Sequence, residues 1–174
     1  MEACKKIKDS GVTPISLYTA DDAWYTCNLF TYLAAGYAGV DALNKGGDIN
    51  TEQMKAAAAK LKEFWNYTTG DAIGANYSVA MNNFTSEESV KQLTLEGAVF
   101  LSPKLDMEDP DVQGTGGLLG EYVALNANAE VSTVNIQRNL STAAKSKRPS
   151  LLEELALDRL TPDAFIEQLA AENK

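Results

Sequence analysis

Gly11-Val12-Thr13-Pro14-Ile15-Ser16-Leu17-Tyr18-Thr19-Ala20-Asp21-Asp22-Ala23-Trp24 is the stretch from which the fold class is read. Val12 to Tyr18 is rich in β-branched and aromatic residues, which suit a pleated, half-buried backbone. Pro14 stands near the entry of that run, where one missing amide donor is tolerated. The run is therefore expected to be a strand. Asp21 and Asp22 then place acids ahead of an apolar stretch reaching about Ala38. Within it Trp24, Cys27, Phe30, Ala34 and Tyr37 recur at helical spacing.

Upstream, Ala3 to Ser10 is short and charged and reads as the last turns of a helix, stopped by Gly11. Downstream, Asn50 with Gln53 three residues on makes a capping pair. Met54, Ala57, Ala58, Leu61, Phe64 and Trp65 form an i, i+3, i+4, i+7 stripe, so a helix is predicted that stops before Thr68, with Trp65 in the core. Ala72 to Met81 is weakly patterned, and Ser86 to Leu93 reads as a helix capped by Ser86. Gly97 to Leu101 and Tyr122 to Leu125 read as short strands either side of a loop from Asp106 to Gly117. A polar helix is expected over 131–147, and a short helix capped by Ser150 through Ala156. Thr161-Pro162-Asp163 is a helix opening: a hydroxyl cap, a proline at the first helical position and an acid in the first turn. Strands separated by helices make the expected class α/β, helix-rich with a small sheet, in a single domain over 1–174.

Composition narrows the function classes. A chain of 174 residues can bury about two-thirds of its extended surface, and 45% hydrophobic against 22% charged residues argues against a disordered tail. No apolar run of about 18 residues exists, so no membrane-spanning helix is expected. Fifteen basic against 24 acidic residues, a net charge of −9, disfavours a nucleic-acid partner. Histidine is absent, which removes the Ser-His-Asp and Cys-His triads, histidine zinc sites and histidine acid–base catalysis. Cys4 and Cys27 are two free thiols or one bridge. Met1 to Lys6 has no signal-peptide core, so the chain is either cytoplasmic or a piece of a longer precursor.

The candidate chemistry is that of binding. The acid pairs Asp21-Asp22, Glu87-Glu88, Asp109/Asp111 and Glu153-Glu154 read as solvated surface groups, because adjacent residues on a helix point apart. Asp106 to Asp111 lacks the ligand spacing of a calcium loop. Gly114-Thr115-Gly116-Gly117 has no phosphate-loop lysine and is either backbone lining a ligand cleft or a flexible loop. Tyr18, Trp24 and Tyr25 follow the expected strand, where α/β proteins place their ligands. A tryptophan face suits the apolar face of a sugar ring, with Asp or Asn taking its hydroxyls, while the helix stripe alone makes Trp24 a core residue; both readings stand. The Asn-x-Ser/Thr triplets at Asn66, Asn76, Asn83 and Asn139 matter only in a eukaryotic secretory route.

The order of these segments resembles a known family. Ala3-Cys4-Lys5-Lys6-Ile7-Lys8-Asp9-Ser10-Gly11-Val12-Thr13-Pro14-Ile15 is similar to the lysine-rich helix, Gly, hydrophobic, Thr-Pro-Ile passage of the sugar-binding extracellular solute-binding proteins of ABC transporters. Asp22-Ala23-Trp24 resembles the start of their tryptophan-bearing helix, Thr51 to Trp65 their long amphipathic helix, and Asn83-Phe84 the end of the extended stretch after it. Gly97 to Lys104, Gly116-Gly117, Glu121 to Asn126 and Thr161 to Phe165 look like later segments in the same order. After Phe84 the chain departs from the family, with Thr85-Ser86-Glu87-Glu88-Ser89 in place of a Gly-Lys-Ala-Ala-Met passage.

The resemblance implies a periplasmic-binding-protein-like lobe, mostly the C-terminal one of two. It implies a carbohydrate ligand closed between the lobes and delivered to ABC permease transmembrane subunits, without catalysis or cofactor. The ligand-facing residues it implies are Tyr18, Asp21, Asp22, Trp24, Gly116 and Gly117. It further implies a monomer held by a lipid anchor on the extracellular face of the membrane or in the periplasm. The alternatives are a small non-catalytic interaction domain and a carbohydrate-active hydrolase using two of the acids above.

Overall fold

WYTCNLFTYLAAGYA, residues Trp24–Ala38, contains no charged side chain and forms one helix, α2. A helix apolar on most of its surface is stable only under cover, and the other elements supply it. The computed structural model describes residues 1–85 and 135–174. The chain divides into two compact units, Met1–Phe84 with Thr133–Lys174, and Thr85–Ser132. Along the first unit come α1 (Glu2–Asp9), α2, α3 (Val40–Lys45), α4 (Glu52–Phe64), a 3-10 turn at Trp65–Tyr67 and α5 (Tyr77–Thr85). A second 3-10 turn at Ile136–Asn139, α6 (Thr142–Ala156) and α7 (Pro162–Glu172) follow.

The core is where α2, α4, α6 and α7 meet. Cys27, Phe30 and Ala34 of α2 pack with Met54, Ala57, Ala58 and Leu61 of α4, Leu151, Leu152 and Leu155 of α6, and Phe165, Ile166 and Leu169 of α7. Phe30 and Phe165 meet edge to face, with ring centroids 5.8 Å apart. The second 3-10 turn is pinned to α2 by its backbone: the Ile136 amide donates to Thr31 Oγ1 at 3.2 Å, and that hydroxyl donates on to the Cys27 carbonyl at 2.8 Å. Both cysteines are free thiols.

Helix starts follow hydroxyl caps. Thr161 Oγ1 accepts from the Ala164 amide, with Pro162 opening α7 as the sequence leads one to expect. For α4 the cap is Thr51, accepting from Met54 N at 3.2 Å, and not the neighbouring Asn50. One continuous helix, α6, begins at the Ser141 cap and runs through Pro149, where two helices were expected. The proline removes one internal amide donor. Ser150 does not start a new helix; its hydroxyl donates back to the Lys147 carbonyl at 2.8 Å. Trp65, expected in the core, is half-buried in the first 3-10 turn, and its Nε1 has no acceptor among the described residues.

The α/β expectation, a helix-rich lobe with a small sheet, is overturned. Among the described residues there is no strand and no sheet. Val12 to Tyr18 has no regular secondary structure; it lies beside a 3-10 turn, a loop and α5, none of which offers a ladder. Its polar groups are met singly. The Ile15 amide donates to the Tyr67 carbonyl at 3.3 Å and the Leu17 amide to Thr68 Oγ1 at 3.2 Å. Ser16 Oγ donates to the Ala80 carbonyl at 2.8 Å. The strands expected at 97–101 and 122–125, the helix at Ser86 to Leu93 and the Asp106 to Gly117 loop lie outside the described residues.

Phe165→Ala is expected to destabilise the chain by about 3–5 kcal/mol in urea or thermal unfolding, since it empties the α2–α7 contact. Thr161→Ala is expected to cost about 1 kcal/mol through its cap. A Phe165→Ala cost no larger than that of the cap would contradict this core.

Candidate ligand-binding site

The start of α2 is built on a chain reversal. Asp21 (φ 53°) and Ala23 (φ 48°) are both left-handed, and Asp22 lies between them. Side chains other than glycine adopt that conformation only at a cost. The reversal is tied on several sides. The Ala23 amide donates to the Ala20 carbonyl at 3.0 Å, and the Ala20 amide to the Ala75 carbonyl at 2.9 Å. Thr26 Oγ1 donates to the Tyr18 carbonyl at 2.6 Å. Arg148 Nη2, reaching across from α6, donates to the Asp22 carbonyl.

Tyr18 is 1% exposed and supports the reversal from beneath. Its hydroxyl donates to Asp22 Oδ1 at 3.2 Å and accepts from the Trp24 amide at 3.0 Å. The same amide donates to Asp22 Oδ1 at 3.1 Å. Asp22 thus satisfies the first N–H of α2, at the positive end of the helix dipole, although Ala23 occupies the cap position.

Around this turn lies an aromatic cluster. Tyr18 meets Tyr25 edge to face at 5.5 Å and Tyr77 at 6.5 Å, and Tyr25 meets Tyr77 at 5.7 Å. Trp24 is tilted 46° against Tyr25 at 5.9 Å. Tyr77 and Met81 lie one turn apart on α5, and the Tyr25 hydroxyl donates to Met81 Sδ at 3.3 Å. Trp24 and Tyr25 are half-buried, and Tyr77 is 49% exposed. The cluster therefore presents aromatic surface beside the exposed Asp21 and Asp22.

Burial pushes the Tyr18 phenol up to about 12; the Trp24 amide opposes this and the Asp22 carboxylate adds to it. Burial, then Tyr77, raises Tyr25. Burial lifts the Cys27 thiol to about 12 against the pull of Arg148, so no thiolate forms near neutral pH. Among the described residues no three His, Cys, Asp or Glu side chains are grouped to hold a metal ion. No described helix is long and apolar enough to cross a membrane.

Of the sequence-predicted residues, the structure brings Tyr18, Asp22 and Trp24 together, with Asp21 exposed beside them; Gly116 and Gly117 lie outside the described residues. Sequence reasoning misses Tyr77, Met81 and Arg148. Asn76 was a readable signal for the first two, because its Oδ1 accepts from the Val79 amide and opens α5. Two hollows elsewhere are small, about 50 Å³ beside Leu43, Ile49 and Asn139, and about 140 Å³ beside Lys8, Pro14 and Tyr67. Neither has the volume of a few hundred Å³ usual for a ligand pocket.

No family model matches the chain, and no curated protein matches it. A solved structure does match, from a study of xylan utilization by the thermophilic bacterium Caldanaerobius polysaccharolyticus. The TM-score is 0.69 at 16% identity, covering 99% of this chain and 64% of that one. At that identity the likeness is one of fold. It holds over nearly the whole chain, which spans 64% of the length of the xylan-utilization protein.

Because the Tyr18 phenol is raised, the folded chain holds its proton more tightly than the unfolded chain. The stability this contributes is complete below about pH 10 and is lost as pH rises through about 12. Tyr18→Phe is expected to flatten the fall of the unfolding midpoint across that window, with Cys27 retaining part of the slope. A slope identical to that of the parent chain would contradict the burial of this phenol.

Proposed function

We propose that this chain is most of one lobe of a carbohydrate-binding receptor serving an ABC transporter, and that it holds its sugar without catalysis for delivery to permease subunits. The observation that carries this reading is the fold likeness over 99% of the chain to a protein of xylan utilization, whose length exceeds this chain by a further portion. The site supports it independently. An aromatic face beside an exposed carboxylate suits a sugar ring, which has apolar C–H faces and a rim of hydroxyl donors.

In this reading Trp24 stacks on the sugar and Asp21 and Asp22 accept its hydroxyls. Tyr18 holds Asp22 and the Trp24 amide in place rather than touching ligand. Gly116 and Gly117 are proposed as close-approach backbone on the strength of the family resemblance. In the same reading Asp22, which accepts from the Tyr18 hydroxyl and the Trp24 amide, acts as a hydrogen-bond acceptor and not as a catalytic acid. A neutral oligosaccharide, no cofactor, a monomer and a lipid-anchored extracellular or periplasmic setting complete the proposal.

Titrating the chain with xylobiose, xylotriose and xylotetraose while following tryptophan fluorescence tests the reading. A saturable change is expected, weak because one lobe supplies only part of the contacts, and lost in Trp24→Ala. Binding that survives Trp24→Ala would move the site elsewhere. A chain that binds none of these saccharides, nor any other neutral sugar, would overturn the reading.

A further inference from the structure

We infer that Arg148 is a positioning residue for this site, clamping the Asp22 carbonyl so that Asp22 and Trp24 are held ready for ligand. The inference rests on the binding role proposed above. Its ground is the left-handed pair at Asp21 and Ala23. Non-glycine residues stay in that conformation only where their surroundings over-determine it, and such strain gathers at binding and catalytic sites. Arg148 is the constraint that comes from furthest away, 126 residues along the chain and on a different helix.

Packing alone does not account for this arginine. It is 4% exposed, and its Nε and Nη1 find no acceptor among the described residues. Burying a guanidinium for one carbonyl bond is costly, and an apolar side chain of similar size fills the same volume without that cost. The groups around it are Asp22 and the Cys27 thiol, which feels both charges. What Arg148 does there is fix the one carbonyl between the two strained residues. Without it the turn loses its tie to α6, and right-handed conformers at Asp21 and Ala23 become more populated, carrying the Asp22 carboxylate away from the Tyr18 hydroxyl and turning the Trp24 side chain.

The test uses the full chain in a Trp65→Phe background. This leaves Trp24 as the only reporter of the two tryptophans, and it removes an indole N–H that has no acceptor among the described residues. Acrylamide quenching and near-ultraviolet circular dichroism are recorded without ligand, followed by a xylotriose titration. Arg148→Met is expected to raise quenching, change the near-ultraviolet spectrum and weaken xylotriose binding roughly tenfold, as when the competent turn is populated about a tenth of the time. Arg148→Lys, which keeps one donor for the carbonyl, is expected to recover part of each. Leu155→Ala, a core variant about two turns along α6 from Arg148, is expected to lower the unfolding midpoint without these changes. Arg148→Met with parental quenching and spectrum overturns the inference. Should Arg148→Met not fold, Arg148→Lys decides by the same readouts. If the parent chain binds neither xylotriose nor any other neutral sugar, the binding role fails, while the ligand-free arms still decide whether Arg148 positions the turn.

Discussion

Everything in the described unit depends on covering α2. That helix carries no charge in its fifteen residues, and its Thr26, Cys27, Phe30, Thr31 and Ala34 are buried while Tyr32 and Tyr37 stay exposed. The alanines of α4 let it lie close, α7 sets Phe165 against Phe30, and α6 closes the cluster with Leu151, Leu152 and Leu155. Burying side chains of this size contributes about 1.5–3 kcal/mol each before conformational entropy is set against it. The 3-10 turn at Ile136–Asn139 completes the cover through the Ile136–Thr31 and Asn135–Asn28 hydrogen bonds.

The site is a consequence of how that buried helix begins. One face of it is enclosed, through Cys27, Phe30, Thr31 and Ala34, while its first turn reaches the surface beside Tyr25 and Tyr77. Side chains carried by a rigid, packed element are held more closely than those on a loop. Asp22 takes the first amide, Tyr18 braces both, and Arg148 holds the carbonyl between two strained residues. The outcome is an aromatic surface with acids at its edge, in which burial raises the Tyr18 and Tyr25 phenols.

Much of this was legible where local chemistry decides. The stripe of α4, the end of α2 at Ala38 and the Thr161-Pro162 opening of α7 are all set within a few residues. The reading failed where neighbours decide. Val12 to Tyr18 has the composition of a strand, but no strand among the described residues comes alongside it, so it has no ladder to join. Ser150 reads as the cap of a new helix, yet α6 passes through Pro149 and Ser150 because Leu151, Leu152 and Leu155 are drawn into the core beyond them. In the site, Tyr18, Asp22 and Trp24 were visible because they are near in sequence. Tyr77 and Arg148 were not, because they arrive from α5 and α6 with no local signal of where they will land.

Residue-resolved hydrogen exchange of the native chain tests the central claim most directly, namely that α2 is the buried axis of the unit. The amides of Cys27, Phe30, Thr31 and Ala34 are predicted to exchange only through global unfolding, with protection equal to the highest in α4 and α7 and a dependence on denaturant matching that of the whole chain. Exchange of those α2 amides through a local opening, with α4 and α7 still protected, would contradict it.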